Sequence, residues 1–259
     1  MEEALLPRMD LKDEVAIVTG AGRGLGRWIS QGIAKVGARV IAVDIDRKGA
    51  EKTGDEIRQS GGVAEPLEVD LTKIEHIEKM VSFTLDTFNR IDLLVNNAGV
   101  NVHKPMVEIT PTDFEKVASV NLRGVYFCSQ HVGRVMLQQG SGKIINIASV
   151  AGFLLRAGIP NSVYAMTKAG VMMLTKALAE EFSGYGIRVN CIAPGYFATP
   201  LVADRLEDPK TLGSILSSTP MKRVGQAMDI VGPVIFLASE ASRFITGQTL
   251  FVDGGRSIL

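Results

Sequence analysis

Cysteine, histidine and tryptophan are scarce in this chain of 259 residues, which contains two, three and one of them. Cys128 and Cys191 are far apart and lie among apolar residues, a pattern that indicates buried thiols in a reducing compartment rather than a disulfide framework. His76, His103 and His131 have none of the spacings that metal sites use. We therefore expect neither a disulfide nor a bound metal.

The chain also lacks an excess of charge of either sign and a long hydrophobic run. Lys plus Arg and Asp plus Glu each number 28, so no basic surface for nucleic acid is indicated. No apolar stretch reaches the roughly 18 to 20 residues that span a bilayer, and the N-terminus has neither the basic nor the apolar region of a secretory signal. We expect a cytoplasmic protein that binds a small molecule and neither nucleic acid nor membrane, with residues 1–12 as a short N-terminal arm.

No Ser/Gly-rich linker, internal repeat or low-complexity tract divides the chain, so we expect one domain over residues 1–259. Short runs rich in β-branched residues alternate with segments of helical length, which predicts repeated βαβ units. The runs are EVAIVT, ARVIAVD, VAEPLEVD, IDLLVN, KIINIAS, IRVNCIA and TLFVD. Because most are nearly continuously apolar, they belong in a parallel sheet covered on both faces. The predicted class is α/β, a single-domain Rossmann fold with a doubly wound, seven-stranded parallel sheet.

One segment, residues 195–225, does not follow this rhythm. It contains three prolines and no clear strand, and it is too long for an ordinary connection in a compact domain. Long insertions of this kind often carry binding residues. We expect it to be a lid that closes over a substrate.

The first strand leads into a glycine-rich turn, Thr19-Gly20-Ala21-Gly22-Arg23-Gly24-Leu25-Gly26, and then into a helix that begins near Leu25. The turn does not match the strict G-x-G-x-x-G fingerprint in any register. Its glycines nevertheless permit a tight turn from strand to helix, and they let a pyrophosphate approach backbone N–H groups at the helix N-terminus. The turn therefore indicates a dinucleotide-binding site.

Asp44 ends the second predicted strand, twenty positions after Gly24. A carboxylate there can accept a hydrogen bond from a ribose hydroxyl of the cofactor. The same charge would repel a 2′-phosphate, which favours NAD over NADP. Two alternatives stay open: Asp44 could be only a turn residue, and Arg23 or Arg47 could bind a phosphate and favour NADP.

Three further strand ends lie where open α/β sheets bind ligands. Asp70-Leu71 follows the third strand, where the acid could meet an adenine ring. Asn96-Asn97-Ala98-Gly99 follows the fourth, where small residues admit a cofactor and Asn amides can tie strand ends together. Pro194-Gly195 follows the sixth and would face a nicotinamide. A simple turn is the alternative for the last two.

Tyr164 and Lys168 lie four residues apart in a segment of helical periodicity, so their side chains project from one face. A phenol has an ordinary pKa of about 10 and is a poor base at neutral pH, whereas a nearby ammonium favours the phenolate. The pair predicts a proton-transfer site in which Lys168 lowers the pKa of Tyr164. An exposed pair on a solvated helix is the alternative, but it does not explain the apolar neighbours Met166, Val171 and Leu174.

Two polar residues are candidates for the same site. Ser149 closes the fifth predicted strand, where its hydroxyl could bind a substrate oxygen, although a helix cap is a competing role. Asn121 is an amide inside an otherwise apolar helix, so it must find partners. We expect Asn121 to hold a water that relays protons to Lys168.

These motifs, in this order along nearly the whole chain, resemble the short-chain dehydrogenase/reductase superfamily of the common one-domain type. The resemblance rests on TGAGRGLG, NNAG, the dipeptide PG with Thr199, and the set Asn121, Ser149, Tyr164 and Lys168. It implies an oxidoreductase that transfers a hydride between NAD(H) and a secondary alcohol or ketone. It also implies a homotetramer in which long helices around residues 111–138 and 161–184 pair between subunits.

The resemblance assigns roles to individual residues. Tyr164 is the implied general acid/base, Lys168 lowers its pKa and binds the nicotinamide ribose, Ser149 steadies the substrate oxygen, and Asn121 anchors the proton relay. The implied cofactor-binding residues are Gly20, Arg23, Gly24, Leu25, Gly26, Asp44, Asp70, Leu71, Asn97, Ala98, Gly99, Tyr164, Lys168, Pro194, Gly195 and Thr199.

Within the family, the segments INIAS, IAPGYFAT, FLASEASRFITGQ and LFVDGG most resemble gluconate 5-dehydrogenases and 2-deoxygluconate dehydrogenases. We therefore expect a sugar acid or polyol as substrate, bound by Ser149, Tyr196 and the basic residues His103, Lys104 and Arg156, which would orient a carboxylate. Solvated loop charges are the alternative for the basic residues.

Two other functions stay open. Apolar side chains near the predicted mouth would suit a 3-oxoacyl thioester or a cyclic ketone; they are Phe153, Leu154, Leu155, Tyr196, Phe197 and Leu201. The segment between Ser149 and Tyr164 is longer than in many members of the family, and we expect it to reshape the substrate mouth. A dinucleotide-binding sensor that has lost catalysis is the second alternative, because a fold does not determine a function.

Overall fold

The structure, a computed structural model, describes residues 7–155, 160–200 and 203–258, and of residues 204 and 205 it describes only the backbone. Seven parallel strands form one sheet in the order β3-β2-β1-β4-β5-β6-β7. They are β1 (Val15–Thr19), β2 (Arg39–Asp44), β3 (Val63–Glu68), β4 (Leu93–Asn96), β5 (Gly142–Ile147), β6 (Ile187–Pro194) and β7 (Thr249–Val252). The predicted doubly wound, seven-stranded parallel sheet is confirmed.

Helices cover both faces of the sheet. They are α1 (Gly24–Lys35), α2 (Arg47–Gln59), α3 (Ile74–Phe88), α4 (Pro111–Ala118), α5 (Val125–Gln139), α6 (Ser162–Phe182), α7 (Ala203–Glu207), α8 (Pro209–Ser217) and α9 (Ala227–Ala238). In β1, Ala16 and Val18 pack into a core cluster with α1 and α9, whereas Ile17 packs into a second cluster with α3, α5 and α6. Both faces of β1 are therefore buried, which explains why the strand is apolar up to its last residue, Thr19.

The helix predicted over residues 111–138 is present, but it is not regular. A capping box between Thr110 and Asp113 and a proline at the first position, Pro111, start α4. A π-helical turn, Ser119–Gly124, then joins α4 to α5. Such turns are rare and often occur at functional sites. This one contains the fully buried Asn121.

The helix predicted over residues 161–184 is α6, followed by a short 3-10 turn at Ser183–Tyr185. None of the helices in the described part of the chain combines the length and apolarity that a membrane span requires. Of the predicted N-terminal arm, residues 7–10 are exposed, while Leu11 already packs in the core at 1% exposure.

The segment 195–225 contains two helices, α7 and α8, where the sequence shows no regular element. Its two ends meet in a parallel bridge between Phe197 and Gly225. The Gly225 N–H donates to the Tyr196 carbonyl at 2.8 Å, and the Ala198 N–H donates to the Gly225 carbonyl at 3.0 Å. The two ends of the segment, around Phe197 and Gly225, are therefore hydrogen-bonded to each other, and we call this place its neck.

The winding of the sheet reverses between β1 and β4, which are hydrogen-bonded neighbours. From β1 the chain proceeds outward to β2 and β3, and it then returns to build β4 to β7 on the other side of β1. In open α/β sheets such a switch point opens a crevice at the carboxyl ends of the strands. The glycine-rich turn after β1 and the Asn96–Gly99 segment after β4 meet at this crevice.

Candidate active site

A cavity of about 540 Å³ lies at the carboxyl edge of the sheet. Most of the residues predicted for cofactor and substrate lie on its wall. These are Gly20, Arg23, Gly24, Leu25, Asp44, Asp70, Leu71, Asn97, Ala98, Gly99, His103, Ser149, Tyr164, Lys168, Pro194, Gly195, Tyr196 and Thr199. The cavity is therefore lined by residues from the ends of six strands and from α6.

The glycine-rich turn packs directly against the end of β4. Gly20 has a φ of +67°, and a Cβ at this position would lie 2.8 Å from the Ala98 Cα. Asn97 holds the two segments together, because its Nδ2 donates to the carbonyls of Thr19 (2.9 Å) and Gly20 (3.1 Å). Gly26 does not line the cavity; a Cβ there would overlap the Gly20 carbonyl oxygen, so this predicted cofactor residue instead lets α1 pack against the turn.

Asp44 has the contacts of a turn residue, the alternative that the sequence leaves open, and it also lines the cavity. Its Oδ2 accepts the Gly22 N–H at 2.8 Å and its Oδ1 accepts the Asp46 N–H at 2.9 Å, so the carboxylate fixes two turns while it lines the cavity. Arg47 forms an exposed ion pair with Glu51 (2.8 Å) and is therefore not aimed at a ligand.

Asp70 is positioned by the residues that follow it. Its Oδ1 accepts hydrogen bonds from the Thr72 N–H (3.0 Å) and hydroxyl (2.7 Å), and its own N–H donates to His76 Nδ1 at 3.2 Å. Burial acts to raise the pKa of Asp70, but the Thr72 hydrogen bonds and the positive charge of Lys73 outweigh it and hold the pKa below its ordinary value. A charged acceptor therefore faces the cavity at the end of β3.

Tyr164 and Lys168 are brought together as predicted, on the cavity side of α6. The Lys168 side chain is almost fully buried; its Nζ donates to the Ile147 carbonyl at 2.8 Å and lies 5.7 Å from the centroid of the Tyr164 ring. Burial lowers the pKa of Lys168 to about 8. The Lys168 ammonium therefore loses its proton more easily than an exposed lysine does, and it lies beside the Tyr164 phenol.

The pKa of Tyr164 shifts in the direction opposite to the prediction. We expected Lys168 to lower the pKa of Tyr164, but burial raises that pKa, and the opposing influence is a hydrogen bond with Ser149. The physical reason is that the low-polarity wall penalises a phenolate. Tyr164 is therefore a neutral phenol around pH 7, which is the form that donates a proton.

Ser149 is held against α6 by a close backbone contact. Its Oγ accepts the Ala151 N–H at 3.1 Å, and its carbonyl accepts the Gly152 N–H at 3.0 Å. A Cβ on Gly152 would lie 2.6 Å from the Ala169 nitrogen and the Lys168 carbonyl carbon, so any other residue would push the turn away from α6. Gly152 thus sets the distance between Ser149 and the Tyr164–Lys168 pair, a role for which the sequence offers no signal.

Asn121 acts on the loop after β4 and does not reach the cavity wall. Its Oδ1 accepts the Val100 N–H at 2.8 Å, and its Nδ2 donates to the Val100 carbonyl at 2.9 Å. The side chain therefore clamps Val100, and the adjoining Gly99 lies where a Cβ would be 3.5 Å from Lys168 Nζ. A water relay from Asn121 to Lys168 stays a prediction.

The predicted substrate residues do not all meet. His103 and Tyr196 line the cavity with Ser149. Lys104 does not, because its ammonium forms an ion pair with Asp113 at 2.7 Å and holds the pKa of Asp113 at about 2. Arg156 lies outside the described residues.

Asn101 and Asn161 also line the cavity, and sequence reasoning missed both. Asn161 precedes Tyr164 by three positions, so the helical spacing that linked Tyr164 to Lys168 could have found it. It is the N-cap of α6, yet its side chain makes no capping hydrogen bond. Asn101 lies just beyond the NNAG segment, where the chain is still at the sheet edge.

Comparisons with known proteins agree with this geometry. A family model described as Enoyl-(Acyl carrier protein) reductase matches residues 20–257. The chain is 38% identical to a 3-oxoacyl-[acyl-carrier-protein] reductase of Synechocystis over 247 residues, which cover 95% of this chain and 97% of that relative. It is 37% identical to a gluconate 5-dehydrogenase of Gluconobacter oxydans over 248 residues, which cover 94% of each.

A solved structure extends the likeness to three dimensions. A gluconate 5-dehydrogenase from Burkholderia cenocepacia, in complex with NADP and tartrate, is 37% identical and matches with a TM-score of 0.93 over 98% of both chains. Family, relatives and fold therefore lead to one conclusion: the chain belongs to the short-chain dehydrogenase/reductase family and is an NAD(P)-dependent oxidoreductase that acts on CH–OH groups.

Proposed function

We propose that this oxidoreductase uses NAD(H) and acts on a secondary alcohol or ketone of a sugar acid or polyol. The observation that carries the proposal is a set of four residues with hydrogen-bonding side chains, Asn101, His103, Ser149 and Asn161, which line the cavity together with Tyr164 on an otherwise largely apolar wall. A polyhydroxylated substrate can exchange its hydrogen bonds to water for hydrogen bonds to such side chains, which an apolar substrate cannot use.

The residues present fit a dinucleotide cofactor. The close contact of Gly20 with Ala98 and the start of α1 at Gly24 form a cradle in which backbone N–H groups can bind a pyrophosphate. Asp44 and Asp70 offer acceptors for the adenosine half, and Lys168 offers a donor for the nicotinamide ribose. When bound, the nicotinamide ring gives or takes the hydride.

The protein's own part of the reaction is proton transfer and orientation. Tyr164, held neutral by burial, donates a proton to the forming alkoxide in ketone reduction and accepts it back in alcohol oxidation. Ser149 binds the same substrate oxygen, and the charge of Lys168 stabilises the phenolate that Tyr164 becomes.

The main alternative is reduction of a 3-oxoacyl thioester, the activity by which the Synechocystis relative is named. Of the described side chains that first favoured it, Tyr196 and Phe197 line the cavity and the others do not. Phe153 (62% exposed) packs on the Phe251 ring at 5.0 Å, Leu155 is 73% exposed, and neither they nor Leu154 line the cavity. Leu201 lies outside the described residues.

A substrate panel followed by NAD(P)H absorbance tests the proposal. We expect turnover of D-gluconate or a related ketogluconate at least tenfold more efficient, as kcat/KM, than that of acetoacetyl thioesters or cyclohexanone. Higher efficiency with the thioester would replace the proposed substrate by the alternative. Tight NADH binding without turnover of any substrate would favour a catalytically silent sensor.

The preference for NAD depends on Asp44, although the Burkholderia cenocepacia structure holds NADP. We expect Asp44→Ala to raise the KM for NAD about tenfold and to improve use of NADP, because the variant loses an acceptor for the ribose hydroxyls and the repulsion of a 2′-phosphate. Steady-state kinetics with both cofactors measure the change.

Arg47→Ala is the matched control, because Arg47 is already paired with Glu51; it should leave both KM values within about twofold. If Asp44→Ala left the preference unchanged, Arg23, which lines the cavity, would be the residue that decides it.

The pH dependence follows from the two buried groups. Tyr164, whose pKa is raised, stays protonated as the pH rises, whereas Lys168 loses its charge through a pKa of about 8. We expect kcat/KM for ketone reduction to be constant below about pH 7 and to fall through about pH 8. A profile measured from pH 6 to 10 checks this, and a flat profile up to pH 10 would contradict it.

Three broader proposals accompany the activity. The segment 195–225 acts as a substrate lid; its neck residues Tyr196 and Phe197 lie on the cavity wall.

A homotetramer forms through α4, α5 and α6, which carry exposed apolar side chains including Tyr126 (46%) and Met173 (64%). The protein works in the cytoplasm, in keeping with two free buried cysteines. Light scattering of the purified protein would test the tetramer.

A further inference from the structure

A buried arginine lies behind Tyr196, a residue of the cavity wall. Arg256 is in the turn after β7 and is only 6% exposed. Its guanidinium carbon lies 5.3 Å from the centroid of the Tyr196 ring. Tyr196 lines the main cavity and also a second cavity of about 340 Å³, whereas Arg256 is on the wall of neither. The ring therefore separates a buried positive charge from the space that holds the substrate.

Arg256 is fixed in this position by the lid segment. Its Nη1 donates to the Ser218 hydroxyl at 2.5 Å and contacts the Ser218 carbonyl at 3.5 Å. Ser218 is the C-cap residue of α8. The guanidinium thus connects the C-terminal end of α8 to the Tyr196 ring.

The charge of Arg256 is not neutralised within the described part of the chain. Buried charges are normally paired with an opposite charge, but Arg256 forms no ion pair with any residue that the structure describes. The acid in its own turn, Asp253, instead accepts the N–H groups of Gly255 (2.9 Å) and Ser257 (2.7 Å). The pair Arg223–Asp229 at the second cavity is neutral by itself.

We propose that Arg256 determines specificity for an anionic substrate: its charge, acting through the Tyr196 ring, favours a carboxylate on the side of the cavity that Tyr196 lines. A unit charge in a poorly solvated site acts over several ångströms, and a guanidinium over a ring face also holds that ring in place. The inference rests on the proposed function and deepens it, because it replaces Lys104, which is paired with Asp113, by a cation that forms no ion pair with the residues that the structure describes.

The test separates charge from shape. Arg256→Gln keeps a donor for Ser218 and removes the charge, while Arg256→Lys keeps the charge. We expect the wild type to prefer D-gluconate to the uncharged D-glucitol, Arg256→Gln to lower the ratio of their kcat/KM values about tenfold, and Arg256→Lys to keep it within about threefold. A purely structural role would lower both values together and leave the ratio unchanged.

The control is the double variant Arg223→Gln with Asp229→Asn, which removes a nearby guanidinium together with the carboxylate that pairs with it; because the net charge does not change, the ratio should stay the same. Arg256→Met, which keeps the volume of the stem, is the second charge-free variant should Arg256→Gln not fold. A wild type that prefers the neutral member of the pair would overturn the inference without any variant.

The same measurements distinguish failure of the proposed function from failure of the role proposed for Arg256. If the wild type oxidises neither sugar compound, the sugar-acid proposal is wrong. The role of Arg256 is then tested with acetoacetate and its uncharged methyl ester as substrates for reduction by NADH. An unchanged ratio in the charge-free variants with either pair would overturn the role of Arg256.

Discussion

Tyr164→Phe lowers kcat about a thousandfold while NADH binds with its affinity changed by less than about twofold; this is the result we expect from the geometry of α6. The substitution removes one hydroxyl and keeps the ring that lines the cavity. General acid–base catalysis by a positioned side chain contributes about a hundredfold to ten-thousandfold. Steady-state turnover and fluorescence titration with NADH measure the two quantities.

Tyr185→Phe is the matched control for this variant. Tyr185 lies in the turn after α6 and is 59% exposed, so the loss of its hydroxyl should change neither turnover nor binding. Turnover by Tyr164→Phe above about a tenth of the wild-type rate would mean that another group supplies the proton.

Lys168→Met should abolish turnover and at the same time raise the free energy of unfolding by about 2 kcal/mol at pH 7. Burial lowers the pKa of Lys168 from 10.5 to about 8, and this difference corresponds to a cost of roughly 3 kcal/mol to the folded state. The hydrogen bond to the Ile147 carbonyl, which the variant loses, offsets roughly 1 kcal/mol of that cost. Chemical denaturation followed by circular dichroism measures the change.

The gain in stability should depend on pH. The unfolded chain holds the Lys168 proton more tightly than the folded chain does, so the cost is fully present below about pH 8 and is relieved as the pH rises from about 8 to 10.5. The advantage of Lys168→Met over the wild type should therefore shrink across that range. A variant less stable than the wild type at pH 7 would show that the buried ammonium is better compensated than its contacts suggest.

Lys176→Met provides the control on the same helix. Lys176 lies eight residues further along α6 and is exposed. Removing its charge should leave both turnover and the free energy of unfolding within experimental error, because an exposed ammonium has no burial cost to relieve.

Local sequence was sufficient to predict the sheet and much of the cavity wall. Strands β1 and β4 of the sheet interior are apolar except at their last residue, because helices bury both faces of the sheet, so both are visible as nearly continuous runs. Gly20, Asp44, Ser149 and Pro194 could be placed at strand ends, and parallel strands bring all their carboxyl ends to one edge. A position along one strand is then enough to predict that a residue joins the site.

The side-chain partners could not be predicted, because they come from distant parts of the chain. Asn121 binds the backbone of Val100, and the cation at Tyr196 comes from Arg256, sixty positions later. Lys104 looked available for a substrate until folding placed Asp113 beside it. Burial likewise decides the direction of the pKa at Tyr164, and burial is a property of the assembled cavity and not of residue spacing.

The π-helical turn at Ser119–Gly124 has a consequence for how this region tolerates insertions and deletions. A π turn carries one residue more than the regular helix would need, and each helical residue rotates the chain by about 100°. Deleting a single residue between 119 and 124 would let α4 and α5 merge into one regular helix without breaking it. Because the wide turn takes up its extra residue within one turn, the faces of α4 and α5 would stay nearly in phase, and the change would fall on the residues of the turn itself, including Asn121. The helix would survive such a deletion, but the loop at Val100 would lose its clamp.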